Sequence, residues 1–593
     1  MVSRLGLPRW KGWHNLGRMN HSKRWHQNAA AGAALGLALL AGFGLRWYLL
    51  RDQVFADDEW HGFYYAIGKS PGWLLTNFSI PGATCIPLNF YVWLLGQTGG
   101  WSELSLRMPS LVGGVLCVVT GPLLAWRFIG AGRTVVLAFL LAICPLLIFY
   151  SRICRPYSAE VFLAFSALLL AAHWMEKGGL KLAWLFIGAS VLAVYFHLFA
   201  IVTVSAPFIT AGVVHLWRRV KRTPKITLVG PDFRLWFWSG MAIMVLCAVL
   251  VMPAMIHSWQ STFFTIALKG NFRSGEFPRM ALLISGTGQP VLAGLFWLAV
   301  IAGAVEQCRR NPWLGWTLVL LFPLHALALL ASRPDSAQSA IVLTRYCIPL
   351  VPVCLLFAAC GMVGGLEAAG ARFKLQPVLQ GTVAAVGVAA LGATGPLPQC
   401  YVPPNNFTNH GAYQHHYGII DWRRSFYSDL TPDDFKLDTV IKVSEISPFY
   451  EQLSERPGER PVVEWPMIIG DHFNPLYYYQ HFHHRPVIVG YVTDLRMTNG
   501  LAAGNIFGNT YVDQVLSLVP DPAQVHFHNM MPMEDLAGMR NRRVEYIILH
   551  KRYEAQLNLA ALPLPDLMRL GKLYVKELGQ PVYEDDHLAV FKL

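Results

Sequence analysis

Charge is scarce in this sequence. Of its 593 residues, 14% are Asp, Glu, Lys or Arg and 54% are hydrophobic, whereas roughly a quarter of a soluble globular chain is charged. Acids are scarcer still in the first two thirds, where residues 1–395 hold only 12 of the 35 Asp and Glu. There is no Walker A sequence and no dinucleotide-binding glycine loop, so nothing suggests a soluble nucleotide-sugar site. The ten cysteines form no CxxC pair and no zinc spacing. Most, including Cys117, Cys144, Cys247, Cys354 and Cys360, lie in apolar runs and read as small core residues. No repeat of fixed period and no low-complexity segment is present.

What the sequence has instead is long apolar runs. A bilayer-crossing helix needs roughly 20 predominantly apolar residues. About eleven runs approach that length, near 29–50, 104–126, 134–150, 157–174, 182–198, 199–216, 234–254, 284–305, 312–331, 346–366 and 376–395. The segment 84–97 is apolar but short, carries Pro87, Asn89 and Gly96, and reads as interfacial or re-entrant. The first run follows a basic stretch with Arg4, Arg9, Lys11, Arg18, Lys23 and Arg24. It is too long for the apolar part of a signal peptide and reads as a signal anchor.

The loop cations set an orientation. With residues 1–28 as a basic cytoplasmic tail, the alternate loops on that side hold about 19 Lys and Arg and the opposite loops about 10. The cytoplasmic set includes the cluster Arg218, Arg219, Lys221, Arg222 and Lys225. An odd number of spans then places the C-terminal region outside. The net charge of +13 is largely accounted for by these topogenic cations, and it implies no nucleic-acid partner.

Composition changes near residue 396. The remaining residues hold 23 of the 35 acids and no spanning run. Val462–Gly470, Pro486–Val492 and Val544–His550 read as strands, and Asn474–His481, Val512–Leu518 and Glu554–Leu570 as helices. The expected organisation is a transmembrane domain over 29–395, with a first outside loop at 51–103, and an extracytoplasmic soluble α/β domain over 396–593. The fold class is thus a polytopic α-helical membrane protein, about 11 transmembrane helices, with a C-terminal extracytoplasmic α/β domain.

Four of the twelve acids in the membrane part, Asp52, Asp57, Asp58 and Glu59, fall in the first outside loop beside Trp60, Phe63, Tyr64 and Tyr65. Solvated loops predict scattered acids, so a clustered triplet next to aromatics points to chemistry. A carboxylate at the membrane surface can take the proton of an acceptor hydroxyl while a lipid-borne phosphate leaves. A leaving phosphate needs cations, and the Arg fork matches its oxygens. Arg107, Arg152, Arg155, Arg273, Arg279, Arg333 and Arg345 lie at outside span ends. On topology alone, such an arginine serves either as a headgroup anchor or as a phosphate ligand.

Several segments resemble one known family in the same order. Ala56–Glu59 after the first run resembles the Asp-Glu motif of the GT-C membrane glycosyltransferases, and the nearest resemblance is to the protein O-mannosyltransferase-like group that includes the lipid A aminoarabinose transferases. Ser105–Ser110 resembles the start of that family's second span, Pro145–Tyr157 its segment of Tyr-Ser-Arg and Arg-Pro-Tyr, and Tyr195–His197 its Tyr-Thr-His, with Phe196 in place of the usual Thr. Thr344–Tyr346 and the closing Gly579–Asp585 also resemble it. The resemblance covers about 25–350 and the extreme C-terminus.

The resemblance implies a GT-C architecture in the bacterial inner membrane. It implies an inverting transfer of sugar from a polyprenyl-phosphate donor to a hydroxyl or phosphate of an acceptor lipid, glycan or protein on the extracytoplasmic face. Asp58 aligns with the family's base, with Asp57 as a neighbouring candidate. Glu59 assists, or binds a divalent metal where a member uses one; no cofactor is otherwise required. Arg155, Arg345 and Arg152 hold the donor phosphate, and Tyr157, His197 and Tyr346 line the site. His197 reads equally as a hydrogen-bonded histidine within the bundle.

The loop 255–283 contains Trp259, Gln260, Lys269, Asn271, Arg273 and Arg279. It serves either as a substrate loop, with Trp259 and Arg273 lining the site, or as a plain connector. His472, His481, His483 and His484 sit among Tyr477, Tyr478 and Tyr479 without a zinc-like spacing. They read as an aromatic surface resting on the membrane or bundle. Two rivals remain at this level: a lipid or sugar transporter or flippase, which would favour charged or broken helices near the midplane, and a non-catalytic envelope scaffold.

Overall fold

A computed structural model describes residues 21–48, 50, 66, 69–78, 85–98, 103–221, 233–259, 275–333, 340–374, 376–395, 397–400, 447–456, 460, 462–465, 485, 536–541, 543–551 and 567–593. The membrane part runs α1 (His21–Trp47), α2 (Pro71–Thr76), α3 (Ile86–Thr98), α4 (Glu103–Ile129), α5 (Ala131–Ile143), α6 (Pro145–Ser151), α7 (Tyr157–Lys177), α8 (Leu180–Phe196) and α9 (Ala200–Lys221). It continues with α10 (Phe233–His257), α11 (Glu276–Ser285), α12 (Pro290–Arg310), α13 (Pro312–Ser332), α14 (Ala340–Tyr346), α15 (Leu350–Phe373), α16 (Pro377–Ala393) and α17 (Leu397–Cys400).

Among the described residues, seven helices are long and apolar enough to cross a bilayer: α1, α4, α7, α10, α12, α13 and α15. Three shorter apolar stretches lie in α8, α9 and α16. The eleven apolar runs of the sequence all fall on these helices or on the pair α5–α6, with three boundary corrections. The run 134–150 is two helices bent by 54°, because Pro145 lacks an N–H and breaks the ladder at Cys144. The run 284–305 is split: α11 ends on the left-handed Gly286 (φ 74°) and α12 restarts at Pro290. The run 346–366 starts at Leu350, after the separate turn of α14. The segment 84–97 is the 13-residue α3, too short to span unaided.

The bundle is built on close backbone approach. In α12 and α15, a Cβ on Gly303 would lie 1.8 Å from the Phe357 carbonyl oxygen, and one on Gly361 would lie 1.9 Å from that of Ala299. The two helices therefore touch backbone to backbone, as small residues permit in membranes, where lipid offers no hydrophobic drive to associate. Helices α7 and α15 are the most buried of the long helices, and α1 and α10 the least.

Arginines and acids pair at one end of this bundle. Arg133 at the start of α5 meets Glu367 of α15 at 2.6 Å and Glu306 of α12 at 2.8 Å, and Arg127 at the end of α4 meets Glu176 of α7 at 2.5 Å.

The C-terminal residues form a small α/β unit: α18 (Pro448–Ser454), β1 (Val462–Trp465), α19 (Leu536–Asn541), β2 (Tyr546–His550), α20 (Leu567–Leu578), β3 (Tyr583–Glu584) and β4 (Leu588–Lys592). The sheet order is β1-β2-β4-β3, with β1 parallel to β2 and the other pairs antiparallel. The strand period of two splits its core across the sheet. Val462, Tyr546, Ile548, Leu588 and Val590 pack with Phe449 and Tyr450 of α18 on one face. Val463, Ile547, Leu549, Ala589 and Phe591 pack with Met539 and Tyr574 on the other.

Asp585 fixes the turn into β4. Burial alone would raise its pKa. Hydrogen bonds from the Ser447 hydroxyl, the Leu588 and His587 N–H groups and the Tyr583 hydroxyl outweigh that, and hold the carboxyl below its ordinary value.

The strand expected at Val462–Gly470 is described over Val462–Trp465, and the one expected at Val544–His550 runs Tyr546–His550. The helix expected at Glu554–Leu570 is described only from Leu567, and extends to Leu578. Pro486–Val492, Asn474–His481 and Val512–Leu518 lie outside the described residues.

Candidate functional site

The site grows from the break at Pro145. Without an N–H on residue 145, the Leu141 carbonyl loses its helical donor, and a freed carbonyl in a bilayer must find another. Arg46, near the end of α1 and fully buried, supplies it. Its guanidinium donates to the carbonyls of Leu141 (3.1 Å), Ala142 (3.0 Å) and Gly42 (2.9 Å) and to Ser151 Oγ (3.2 Å).

Two further arginines grip the same end of α1. Arg152, at 1% exposure, donates from Nη1 to the carbonyls of Arg46 (3.0 Å) and Tyr48 (2.8 Å). Arg107, fully buried at the start of α4, donates to the Leu50 carbonyl at 3.3 Å. The carbonyl end of α1 is thus held by cations, the arrangement a helix C-terminus favours. A headgroup-anchor role does not fit Arg107, Arg152 or Arg155, all of which are buried.

Between α6 and α7 the chain turns through residues 152–156. Ser110 of α4 donates to the Arg155 carbonyl at 2.7 Å and pins this turn. The passage is tight: a Cβ on Gly113 would lie 2.8 Å from the Ala159 nitrogen, and one on Gly114 would overlap Ser151 Oγ. Glycine is needed here so that α4 can pass against the turn.

The first residue of α7, Tyr157, is the centre of the group. The guanidinium carbons of Arg155 and Arg345 lie 5.6 Å and 5.7 Å from its ring centroid, within cation–π range. Arg155 Nη2 also donates to the Tyr157 hydroxyl at 3.3 Å. The rings of Tyr150 and His197 meet Tyr157 edge-on at 4.9 Å and 5.5 Å. Arg345 comes from α14, so two parts of the chain far apart in sequence converge on one tyrosine. Tyr346 stands one layer back, its ring 5.6 Å from that of Phe199. Trp259, just past α10, is 57% exposed.

His197 ends α8 with extended backbone (φ −154°, ψ 118°). Its Nδ1 lies 3.0 Å from Glu160 Oε2 of α7, at an angle outside hydrogen-bond geometry. Glu160 is fully buried. Sequence reasoning passed over Glu160 and Arg46. The signal for Glu160 was available, since an acid inside an apolar run is costly and tends to be functional.

The structure therefore brings together Arg152, Arg155, Tyr157, His197, Arg345 and Tyr346, at the end of the bundle where α1 leads into residues 51–65. Asp57, Asp58, Glu59 and Arg273 lie outside the described residues, as do His472, His481, His483 and His484. Among the described residues, no group of three His, Cys, Asp or Glu is placed to hold a metal ion.

The fold and this group define a polytopic helical membrane protein with a buried arginine–tyrosine–histidine cluster at one end of its bundle. No protein-family model matches the sequence, and no curated protein matches it. Among solved structures, the chain is similar to ArnT from Cupriavidus metallidurans in the apo state, at 13% identity and a TM-score of 0.47, over 96% of this chain and 98% of that one. It is similar to the same protein bound to undecaprenyl phosphate at 12% identity and a TM-score of 0.48, over 95% and 98%. A third similar structure is the archaeal oligosaccharyltransferase AglB from Archaeoglobus fulgidus, in complex with an inhibitory peptide and a dolichol-phosphate. There the identity is 14% and the TM-score 0.37, over 90% of this chain and 70% of that one.

Proposed function

We propose that this protein is a membrane glycosyltransferase of the inner membrane, moving a sugar from a polyprenyl-phosphate carrier to an acceptor hydroxyl on the extracytoplasmic face. The observation that carries the reading is the convergence of Arg155 and Arg345 on Tyr157, next to the end of α1 that Arg107 and Arg152 hold. Two guanidinium groups beside an aromatic wall suit a phosphate ester that carries a lipid on one side and a sugar on the other. The family resemblance of these same residues in the sequence points the same way.

The acids enter through chain connectivity. Asp58 is eight residues from Leu50, whose carbonyl Arg107 holds, and eight from Ala66, which is 2% exposed. At about 3.5 Å per residue, neither separation exceeds roughly 28 Å. In the proposed step, the Asp58 carboxylate takes the proton of the acceptor hydroxyl. The acceptor oxygen bonds to the anomeric carbon from the face opposite the phosphate. The carbon–oxygen bond to phosphate breaks, and the polyprenyl phosphate leaves with the electron pair, its charge met by Arg155 and Arg345. The anomeric configuration inverts. No cofactor enters this step.

The test is Asp58→Asn in purified full-length protein with a labelled polyprenyl-phosphate sugar and a cell-envelope lipid extract as acceptor. Transfer falls by at least about a hundredfold, the range of a lost general base, while membrane insertion and elution profile stay those of the wild type. Full transfer by the Asn variant sinks the assignment.

A further inference from the structure

The Glu160 carboxylate is the least expected charge in the bundle. It sits in the first turn of α7 and is fully buried. A helix N-terminus favours an acid there, but only weakly in ordinary settings. Desolvating a carboxylate costs considerably more than that, so the helix alone does not explain it. Its Oε1 has no hydrogen-bond donor, and its one ionic neighbour among the described residues is His197 Nδ1, at 3.0 Å. An apolar residue would have filled this position at less cost. What the carboxylate adds is control of the imidazole, whose Nδ1 it engages. That leaves Nε2, on the far side of the ring, as the nitrogen that meets a substrate. The same ring abuts Tyr157, against which both guanidinium groups are gathered.

We infer that Glu160 is a positioning residue: its carboxylate holds the imidazolium form of His197 through Nδ1–H, so that the Nε2–H of the same ring joins Arg155 and Arg345 as a third donor to the phosphate group of a lipid-borne substrate. This rests on the glycosyltransferase reading for the nature of the substrate, while assigning to Glu160 and His197 a task of their own. Glu160 acts through the imidazole and touches no substrate. The pairing follows the logic by which a buried carboxylate orients a working histidine elsewhere.

The experiment measures binding of undecaprenyl phosphate and of the uncharged undecaprenol to the full-length protein in detergent. It compares wild type, Glu160→Gln, His197→Gln and the double variant, with thermal unfolding recorded for each. Each single variant weakens undecaprenyl phosphate binding about tenfold, the scale of one hydrogen bond to a charged group. The double variant loses no more than either single one, and undecaprenol binding is unchanged throughout.

Equal losses for the phosphate and the alcohol would mean that Glu160 merely packs the bundle, and would overturn the inference. So would a normal Glu160→Gln protein, or losses that add in the double variant. If Glu160→Gln fails to fold, His197→Gln decides alone, because undiminished phosphate binding there removes the third donor. A wild-type protein that binds both lipids equally would instead overturn the phosphate-carrier reading on which the inference stands.

Discussion

Arg46 shows how a single residue acquires a task that its own neighbourhood does not announce. It ends an apolar run, the ordinary place for a topogenic or headgroup cation. Its partners are set by Pro145, about a hundred positions later, which leaves the Leu141 carbonyl without its helical donor. Arg46→Met keeps much of the side-chain volume and removes every donor. The carbonyls of Leu141 and Ala142 then stay buried without their guanidinium partner, at about 1–3 kcal/mol for each buried polar group left unsatisfied. The expected outcome is a clear fall in the unfolding temperature of the detergent-solubilised protein. An unchanged midpoint would mean that the α5–α6 bend is stable without this cap. The same residue marks a limit of sequence reading. The sequence displays Arg152, Arg155, Tyr157, His197, Arg345 and Tyr346 as candidates, and the structure gathers all six. It does not display which arginines hold backbone and which face the tyrosine, because that depends on carbonyls freed elsewhere. Glu160 was legible in principle, as one of twelve acids in an apolar stretch of 395 residues, yet its partner His197 lies on another helix.

Elements tell a similar story. Hydropathy places every long helix, since span length is a property of composition. It does not place the breaks, which divide α5 from α6, α11 from α12 and α14 from α15. Those breaks need support from the rest of the chain, because non-helical backbone at membrane depth persists only where it is buried in protein or lines a cavity. The turn 152–156 is the chief example, and α4 is the element that holds it. The nearest atoms to a Cβ at Gly113 are backbone of Ser158 and Ala159, which cannot swing aside as a side chain can. Gly113→Ala must therefore push α4 away from the first turn of α7 and move Tyr157 with it. Overpacking of this kind costs about 1–3 kcal/mol. The variant is expected to melt earlier and to bind polyprenyl phosphate more weakly, while Gly72→Ala, where a Cβ meets nothing within 4 Å, leaves both measurements unchanged. Equal behaviour of the two variants would show that the approach of α4 does not position the turn. In the C-terminal unit, β1 and β2 were legible as short β-branched runs. Helix α18 and the β3–β4 pair were not, because elements of two to seven residues carry too little periodicity to read.

The whole molecule has two unlike ends, and following the helices between them assigns each loop to one. Helix α4 runs from Arg107, in the cluster around α1, to Arg127, paired with Glu176. Its 27 residues span about 40 Å at 1.5 Å each, more than the roughly 30 Å of hydrocarbon. Helix α9 starts beside His197 and so leads away to the opposite end, where it closes at Lys221. Helix α12 has Glu306 at the Arg133 end, so its start at Pro290 belongs to the Tyr157 end. The close of α16 joins that start, with Thr394 Oγ1 2.8 Å from Thr287 Oγ1. The described chain therefore reaches residue 395 on the same side as the Tyr157 cluster, and the end of α9 at Lys221 lies on the other. Loop cations favour the cytoplasm for the end of α9 that leads into Arg222, so the Tyr157 cluster and the C-terminus are expected to face outside. Alkaline phosphatase fused after Leu593 is expected to be active, and the same enzyme inserted after Arg222 inactive, with green fluorescent protein giving the reverse pattern. Activity at Arg222 would invert the protein in the membrane and leave the Tyr157 cluster facing the cytoplasm. Equal activity at both sites would contradict the path of α9 and α16 through the bundle.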